Sequence, residues 1–206
     1  MKLRLGGTEV ELSYTLLCLA ALSILLGVFR GFVWCAAAIV LHEGGHLLML
    51  ARYGYFPKRI KIALFAIDIV DDGRQRRSVR ENAWIIFFGP FANFICFSAT
   101  YLLYLNGMSF FLPFAAANLS VGLFNCLPVM SLDGGQLLFL LLCRRCAPDF
   151  AERVVNGCTF VCIFPLAALG FWLLLRSANV SLLFVSGYLV MALLNRNGRA
   201  EDVFRR

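Results

Sequence analysis

Long apolar stretches dominate this sequence and limit the folds available to it. The chain has 206 residues, of which 61% are hydrophobic and only 15% are charged, so it is too apolar for a soluble globular domain. A helix needs about 20 apolar residues to cross the hydrocarbon core of a bilayer. We therefore predict an all-α polytopic membrane protein that forms a single domain over residues 1–206. About six transmembrane helices are expected, at approximately 14–29, 32–51, 83–104, 110–142, 157–175 and 180–194.

The third and fourth of these stretches contain helix-breaking residues, and a polar segment lies between the second and the third. Gly89-Pro90 predicts a kink or a broken start in the third span. The fourth span should break near 127–135, where the sequence reads LPVMSLDGG. Between the second and third spans, residues 59–70 begin with alternating apolar residues and are followed by a DDG turn signal. This segment predicts a short β-hairpin or a loop on the membrane surface.

The basic residues predict the orientation of the spans. With six spans, all but two of the 19 Lys and Arg residues fall on the side of both termini, and only Arg30 and Arg176 fall on the other. Such a bias is typical of cytosolic loops, so we predict a multi-pass protein of a bacterial cytoplasmic membrane with both termini cytosolic. The net charge of +7 is then explained by orientation, and we expect no nucleic-acid partner.

Three ionisable residues interrupt the second apolar stretch: His42, Glu43 and His46. Each charged group at mid-helix in lipid costs at least about 2.5 kcal/mol, so such a cluster indicates a function. His42 and His46 are four residues apart, which on a helix places both rings on one face, where they can bind one metal ion with the glutamate as general base. They are the only two histidines in the chain. The alternative is a pair of histidines that only form interhelical hydrogen bonds.

A third protein ligand is expected from another span, because catalytic zinc sites usually have three. Of the 12 acidic residues, only Glu43 and Asp133 fall inside predicted spans. His42 and His46 precede the basic Arg52 by about 9–15 Å, and Asp133 precedes Arg144 by about 16 Å if both segments are helical. The similar depth makes Asp133 the candidate ligand. The alternative is that Asp133 only forms a turn with Gly134.

The chain has eight cysteines, and two of them form a CxxC pair, Cys143 and Cys146. A single pair of this spacing is a weak signal for zinc or redox chemistry. Most of the other cysteines lie in apolar stretches, where cysteine behaves as a small hydrophobic residue. We therefore interpret the pair as two residues at a helix end.

Three motifs resemble the site-2 protease family of intramembrane zinc metalloproteases: HEGGH at 42–46, GPFAN at 89–93 and NCLPVMSLDGG at 125–135. Their order and spacing look most like the sporulation branch, the stage IV sporulation protein FB type, without its CBS domain. The resemblance implies one Zn²⁺ per chain. It also assigns the functional residues: zinc ligands His42, His46 and Asp133, general base Glu43, and Asn93 and Asn125 in substrate binding or around the zinc. Helix packing is the alternative for both asparagines.

The motif around Asp133 departs from the family at three positions. Cys126 and Ser131 stand where the family often has proline, and Gln136 stands where a basic residue often follows the two glycines. These changes leave the implied ligands in place. They alter the loop that the family presents to its substrate.

Together these features predict a zinc metalloendopeptidase that cleaves a membrane-associated protein near the cytosolic face, such as the precursor of a sporulation or signalling transcription factor. A membrane regulatory partner is compatible with this function. One alternative is a non-catalytic metal-binding membrane scaffold or regulator, which would not need Glu43. Another is a metal transporter, which would need ligands on more spans and a polar path across the membrane.

Overall fold

The computed structural model describes residues 2–5, 8–12, 14–25, 27–55, 59–62, 67–70 and 77–177. The chain divides into two compact units, Met1–Phe124 and Asn125–Arg206. The predicted sixth span, at 180–194, lies outside the described residues. The helices are α1 (Tyr14–Leu25), α2 (Phe29–Arg52), α3 (Val79–Leu105), α4 (Leu112–Asn125), α5 (Asp133–Leu142) and α6 (Pro148–Ser177).

Among the described residues, three helical segments are long and apolar enough to cross a membrane: α2, α3 and residues Pro148–Leu169 of α6. The apolar helices α4 and α5 are shorter. They are separated by residues 126–132, in the region where the sequence predicts a break in the fourth span. For the third span the sequence predicts a kink or a broken start. The broken start is not present, because α3 is one continuous helix that includes Pro90. A kink at Pro90 stays a prediction.

Helix α3 begins four residues before the predicted span because polar residues form its first turn. Ser78 is the N-cap, and its hydroxyl accepts a hydrogen bond from the Glu81 backbone N–H at 3.2 Å. The Ser78 backbone N–H donates to Glu81 Oε2 at 2.8 Å. This reciprocal capping box satisfies backbone groups that a helix end otherwise leaves without partners.

Four short strands form one sheet in the order β1-β2-β3-β4. They are β1 (Lys2–Leu5), β2 (Thr8–Leu12), β3 (Arg59–Ile62) and β4 (Ile67–Val70). Strands β3 and β4 pair antiparallel in the segment predicted as a hairpin or loop, whereas β1 and β2 lie in a segment for which no strand is predicted. The register places Lys2 opposite Glu11 and Arg4 opposite Glu9. The parallel pairing of β2 with β3 joins distant segments, which local sequence patterns do not reveal.

In the first unit, α2 packs against α3 through Gly45. A Cβ atom at position 45 would overlap the backbone carbonyl of Phe88 and lie 3.0 Å from the Ala92 Cβ. The preceding Gly44 has open space, with no atom within 4 Å of its Cβ position. The two neighbouring glycines therefore differ in role, and only Gly45 is required for the close approach of the two helix backbones.

We expect Gly45→Ala to destabilise the first unit and Gly44→Ala not to. At position 45 the added methyl group meets backbone atoms, which cannot rotate away, and such overpacking costs about 1–3 kcal/mol. At position 44 the same methyl group is unobstructed and improves helix propensity by up to about 1 kcal/mol. Reversible unfolding in mixed micelles measures both changes. Equal effects of the two substitutions would contradict the packing described here.

In the second unit, residues 126–132 are fixed by hydrogen bonds and by close packing against α5. The Met130 backbone N–H donates to Thr159 Oγ1 on α6 at 3.1 Å, and the Thr159 hydroxyl donates to the Val155 carbonyl at 2.8 Å. A Cβ at Gly134 would overlap the Cys126 and Leu127 carbonyls, and one at Gly135 would overlap the Val129 carbonyl. The two glycines thus allow the loop backbone to lie directly against the first turn of α5.

Candidate metal centre

Helix α2 carries both histidines on the face that packs against α3. His42 is 4% exposed and His46 is half-buried. Their ring centroids lie 4.8 Å apart, with the ring planes nearly perpendicular at 85°. The Nε2 atoms of the two rings face each other at 3.2 Å. The predicted placement on one helix face is therefore present, and both rings point to a common position.

The Nδ1 atom of His46 lies 2.8 Å from the backbone carbonyl oxygen of Ile85 on α3. A carbonyl oxygen can only accept, so the Nδ1 atom must carry the proton and donate it. In a neutral imidazole, the Nε2 atom then carries a lone pair instead of a proton. The hydrogen bond therefore fixes both the orientation of the His46 ring and the position of its lone pair.

The His42 ring is fixed in the same way by Asn93, whose side chain is fully buried on α3. Asn93 Nδ2 donates to the Ala38 carbonyl at 2.9 Å and to Asn118 Oδ1 at 3.0 Å. These two acceptors identify the amide nitrogen, so the atom 2.7 Å from His42 Nδ1 is the Asn93 oxygen. His42 must therefore donate from Nδ1, so in the neutral ring its Nε2 atom also carries a lone pair instead of a proton.

The two hydrogen bonds create a site for a cation. Two lone pairs that face each other at 3.2 Å repel unless a positive charge lies between or beside them. Imidazole Nε2 is a common zinc ligand, and metal-binding histidines usually donate their other ring N–H to a carbonyl or a carboxylate. His42 and His46 each show this arrangement. The donor set therefore fits a divalent metal such as zinc.

Three residues of α3, spaced four apart, form the face that meets the two imidazole rings. Ile85 and Asn93 accept the two ring protons, and Gly89 lies between them. A Cβ at position 89 would overlap the His46 ring and lie 2.9 Å from His42 Nε2. The glycine of the predicted GPFAN motif is therefore the residue that makes room for both imidazoles.

Glu43 follows His42 on α2 and is half-buried. Successive helix residues point about 100° apart, so the carboxylate projects beside the face that holds the imidazoles. This position fits a group that acts next to the metal without binding it.

In the second unit, Asp133 is the first residue of α5 and is 9% exposed. Carboxylates are favoured at this end of a helix because of its partial positive charge. Asn125 is the last residue of α4 and is half-buried. Cys126 is exposed, whereas the Ser131 hydroxyl is buried and has no hydrogen-bond partner among the described residues. Pairing of Asp133 with the two histidines stays a prediction.

Sequence reasoning missed Asn118, which is fully buried on α4 and bonds the Asn93 amide. It lies outside the three motifs, so the resemblance did not point to it. The available signal was its polarity within a long apolar stretch, which is the property that also marks Asn93.

The thiol environment of the CxxC pair does not favour redox chemistry. Burial raises the pKa of the Cys143 thiol, and the neighbouring Cys146 raises it further. Reactive cysteines need the opposite shift, because the thiolate is the nucleophile. The interpretation as residues at a helix end therefore remains preferred, and Cys143 is in fact the C-cap of α5.

Comparison with known proteins identifies relatives of this chain. The sequence model of peptidase family M50 matches residues 103–166. The chain is 29% identical to stage IV sporulation protein FB of Bacillus subtilis (strain 168) over 160 residues, which cover 76% of this chain and 54% of that protein. It is 24% identical to a zinc metalloprotease of Methanocaldococcus jannaschii over 156 residues, which cover 69% of this chain and 45% of that protein.

The fold is also similar to a solved structure, the site-2 protease from Methanocaldococcus jannaschii. The TM-score is 0.69 at 20% sequence identity, and the match covers 93% of this chain and 92% of the other. The chain spans about half the length of the curated relatives it matches. These matches confirm the resemblance to the site-2 protease family that the three motifs indicate.

Proposed function

We propose that this protein is an intramembrane zinc metalloendopeptidase that cleaves a membrane-associated protein near the cytosolic face. One observation carries the proposal. The buried His42 ring and the half-buried His46 ring present their Nε2 lone pairs to a common position. Each ring is held there by a hydrogen bond from its Nδ1 to α3. The similarity to peptidase family M50 and to a curated zinc metalloprotease supports the same conclusion.

The proposed zinc ligands are His42, His46 and Asp133, with one zinc ion per chain. His42 and His46 provide two nitrogen donors from one helix face. Asp133 would provide an oxygen donor from α5, in agreement with the depth matching of the two motifs along the sequence. Two histidines and one carboxylate are a ligand set of catalytic zinc sites, in which a fourth position stays open.

The reaction requires a Lewis acid and a base. When bound, zinc would activate water and polarise the scissile carbonyl group. Glu43 would accept the proton of the attacking water at its carboxylate and later deliver it to the amine nitrogen of the leaving fragment. Asn93 and Ile85 would hold the imidazoles in one tautomer throughout the reaction, because both bond the ring atom that faces away from the reacting centre.

The two motif asparagines then have different roles. Asn93 is fully buried and bonded to His42, so it acts by positioning a metal ligand. Asn125 is half-buried beside the loop at 126–132, where a contact with an extended substrate is sterically reasonable. Cys126 and Ser131 would shape the same loop and give this chain a substrate preference of its own.

The alternative of a non-catalytic metal-binding scaffold or regulator has less support. A structural zinc site needs ligands that fill all four positions and has no use for a carboxylate base. The alternative of purely interhelical histidines explains the two Nδ1 bonds but not the convergence of the Nε2 atoms. A role in sporulation or signalling, with both termini cytosolic and a membrane protein as substrate or regulator, is part of the proposal.

Co-expression with candidate membrane-tethered transcription factors tests this function. We expect a soluble fragment of defined size with the wild-type protein and none with Asp133→Ala, which lacks the proposed oxygen ligand. If both proteins release the same fragment at the same rate, Asp133 is not a ligand of the catalytic metal. If a library of tethered proteins gives no fragment although zinc is bound, the scaffold function would be favoured instead.

A further inference from the structure

We infer that Asn118 is a positioning residue, which fixes the tautomer and orientation of His42 through the Asn93 amide. The inference deepens the proposed function, since it concerns the same metal centre. It assigns a part in this site to a residue in the middle of α4, outside the three motifs. Asn118 would act through two hydrogen bonds that end at the His42 ring, and it would touch neither the metal nor the substrate.

The hydrogen bonds form one directed chain. Asn118 Nδ2 donates to the Phe114 carbonyl of its own helix at 2.9 Å, which leaves Asn118 Oδ1 facing Asn93. Asn93 Nδ2 donates to that oxygen at 3.0 Å, and Asn93 Oδ1 in turn accepts from His42 Nδ1 at 2.7 Å. Each member has one orientation that satisfies its neighbours. The Phe114 carbonyl fixes the orientation of the Asn118 amide, and the Ala38 carbonyl favours the same orientation of Asn93.

Without Asn118, the Asn93 amide is held by fewer contacts. Its nitrogen would keep only the Ala38 carbonyl as acceptor, and its oxygen would keep only His42. A half-turn of the amide would then present N–H to His42, which would move the imidazole proton to Nε2, the atom needed for the metal. The Ala38 carbonyl also opposes this half-turn, and Asn118 adds a second oxygen that accepts only from the amide nitrogen. Loss of Asn118 therefore halves the number of acceptors that hold the amide in its orientation.

The packing around Asn118 is consistent with a specific role. Both asparagines are fully buried, although a buried amide is costly unless it is hydrogen-bonded. One turn after Asn118, Gly122 allows α4 to approach α3, since a Cβ there would lie only 3.3 Å from the Asn93 Cβ. The glycine brings the Asn118 oxygen within bonding distance of the Asn93 amide.

The test uses the fact that the chain has only two histidines. In protein labelled with ¹⁵N-histidine and reconstituted in lipid, solid-state NMR distinguishes a protonated from an unprotonated ring nitrogen. Spectra of the metal-free protein are recorded at about pH 8.5, where ordinary histidines are neutral. In the wild type we expect both rings to carry the proton on Nδ1.

In Asn118→Leu, which is similar in size but has no acceptor, we expect His42 to populate both tautomers while His46 remains unchanged. His46 is bonded to Ile85 and not to the asparagines, so it serves as an internal control. Asn118→Asp keeps an oxygen facing Asn93 and, because burial favours the protonated carboxyl, a hydroxyl that can donate to the Phe114 carbonyl. It should therefore restore the wild-type spectrum. Asn106→Ala, which removes an exposed amide bonded to its own helix, is the matched control and should change nothing.

A second measurement is zinc affinity, determined by competition with a chromophoric chelator. Substitution of a residue that orients a metal ligand typically lowers affinity about 10–100-fold. Because Asn118 acts through Asn93, we expect the lower end, about tenfold, in Asn118→Leu and near wild-type affinity in Asn118→Asp. If the Leu variant does not fold, Asn118→Ala removes the same acceptor and carries the same expectation.

An unchanged His42 spectrum in the variants without the acceptor would overturn the inference. So would an equal disturbance of both rings, because that result would indicate a general packing role. These spectra need neither substrate nor metal. Absence of proteolysis would therefore count against the proposed function alone, and an unperturbed His42 tautomer would count against this inference alone.

Discussion

Glu43→Gln is expected to abolish cleavage of a membrane-tethered substrate while leaving zinc binding intact. Glutamine has the same shape as glutamate but cannot accept a proton at neutral pH, so it removes the general base alone. Loss of general base catalysis typically lowers the rate about 10²–10⁴-fold. The half-buried position of Glu43, beside rather than on the face of the two imidazoles, predicts little change in metal affinity.

The measurement combines fragment release in co-expression with the zinc content of the purified protein. Glu152→Gln on α6, which lies outside the three motifs, is a control for loss of a half-buried carboxylate. A Glu43→Gln protein that binds zinc and cleaves at the wild-type rate would eliminate Glu43 as the base. Loss of zinc together with cleavage would instead assign Glu43 to the ligands.

Gly89→Ala is expected to destroy the metal centre, although alanine differs from glycine by one methyl group. The added Cβ would overlap the His46 ring and come within 2.9 Å of His42 Nε2. Neither ring can retreat without losing its Nδ1 bond to Asn93 or Ile85. Displacement of two ligands should lower zinc affinity by at least about 100-fold relative to the wild type. This loss is larger than that expected when a single residue that orients a ligand is substituted.

Zinc affinity of the purified variants measures this effect, and Gly31→Ala is the matched control. Gly31 also lies within a helix, but no atom lies within 4 Å of its Cβ position. The control should bind zinc as the wild type does and should be as stable or more stable. Wild-type zinc affinity in Gly89→Ala would show that the imidazoles do not occupy the position described here.

The sequence predicted the position of the histidine pair well because its signal is local. Two histidines four residues apart on a helix must share a face, and polar groups in an apolar stretch must find partners. The break between α4 and α5 was equally visible, because the LPVMSLDGG segment contains residues that end and begin helices. These features depend on near neighbours along the chain.

Other features depend on distant residues and could not be read in this way. The sheet joins β2 to β3 across more than 40 residues of intervening chain, and such parallel pairing leaves no local pattern. The different roles of Gly44 and Gly45 depend on where the α3 backbone passes. The role of Asn118 depends on its hydrogen bond with Asn93, which is 25 positions away along the chain.

X-ray absorption at the zinc edge of the purified protein identifies the atoms that bind the metal. We expect nitrogen and oxygen donors at about 2.0–2.1 Å, with the multiple-scattering pattern of two imidazoles and no sulfur. Substitution of His42 or His46 should remove one imidazole from that pattern. Sulfur donors at about 2.3 Å, which would assign zinc to Cys143 and Cys146, would contradict the account.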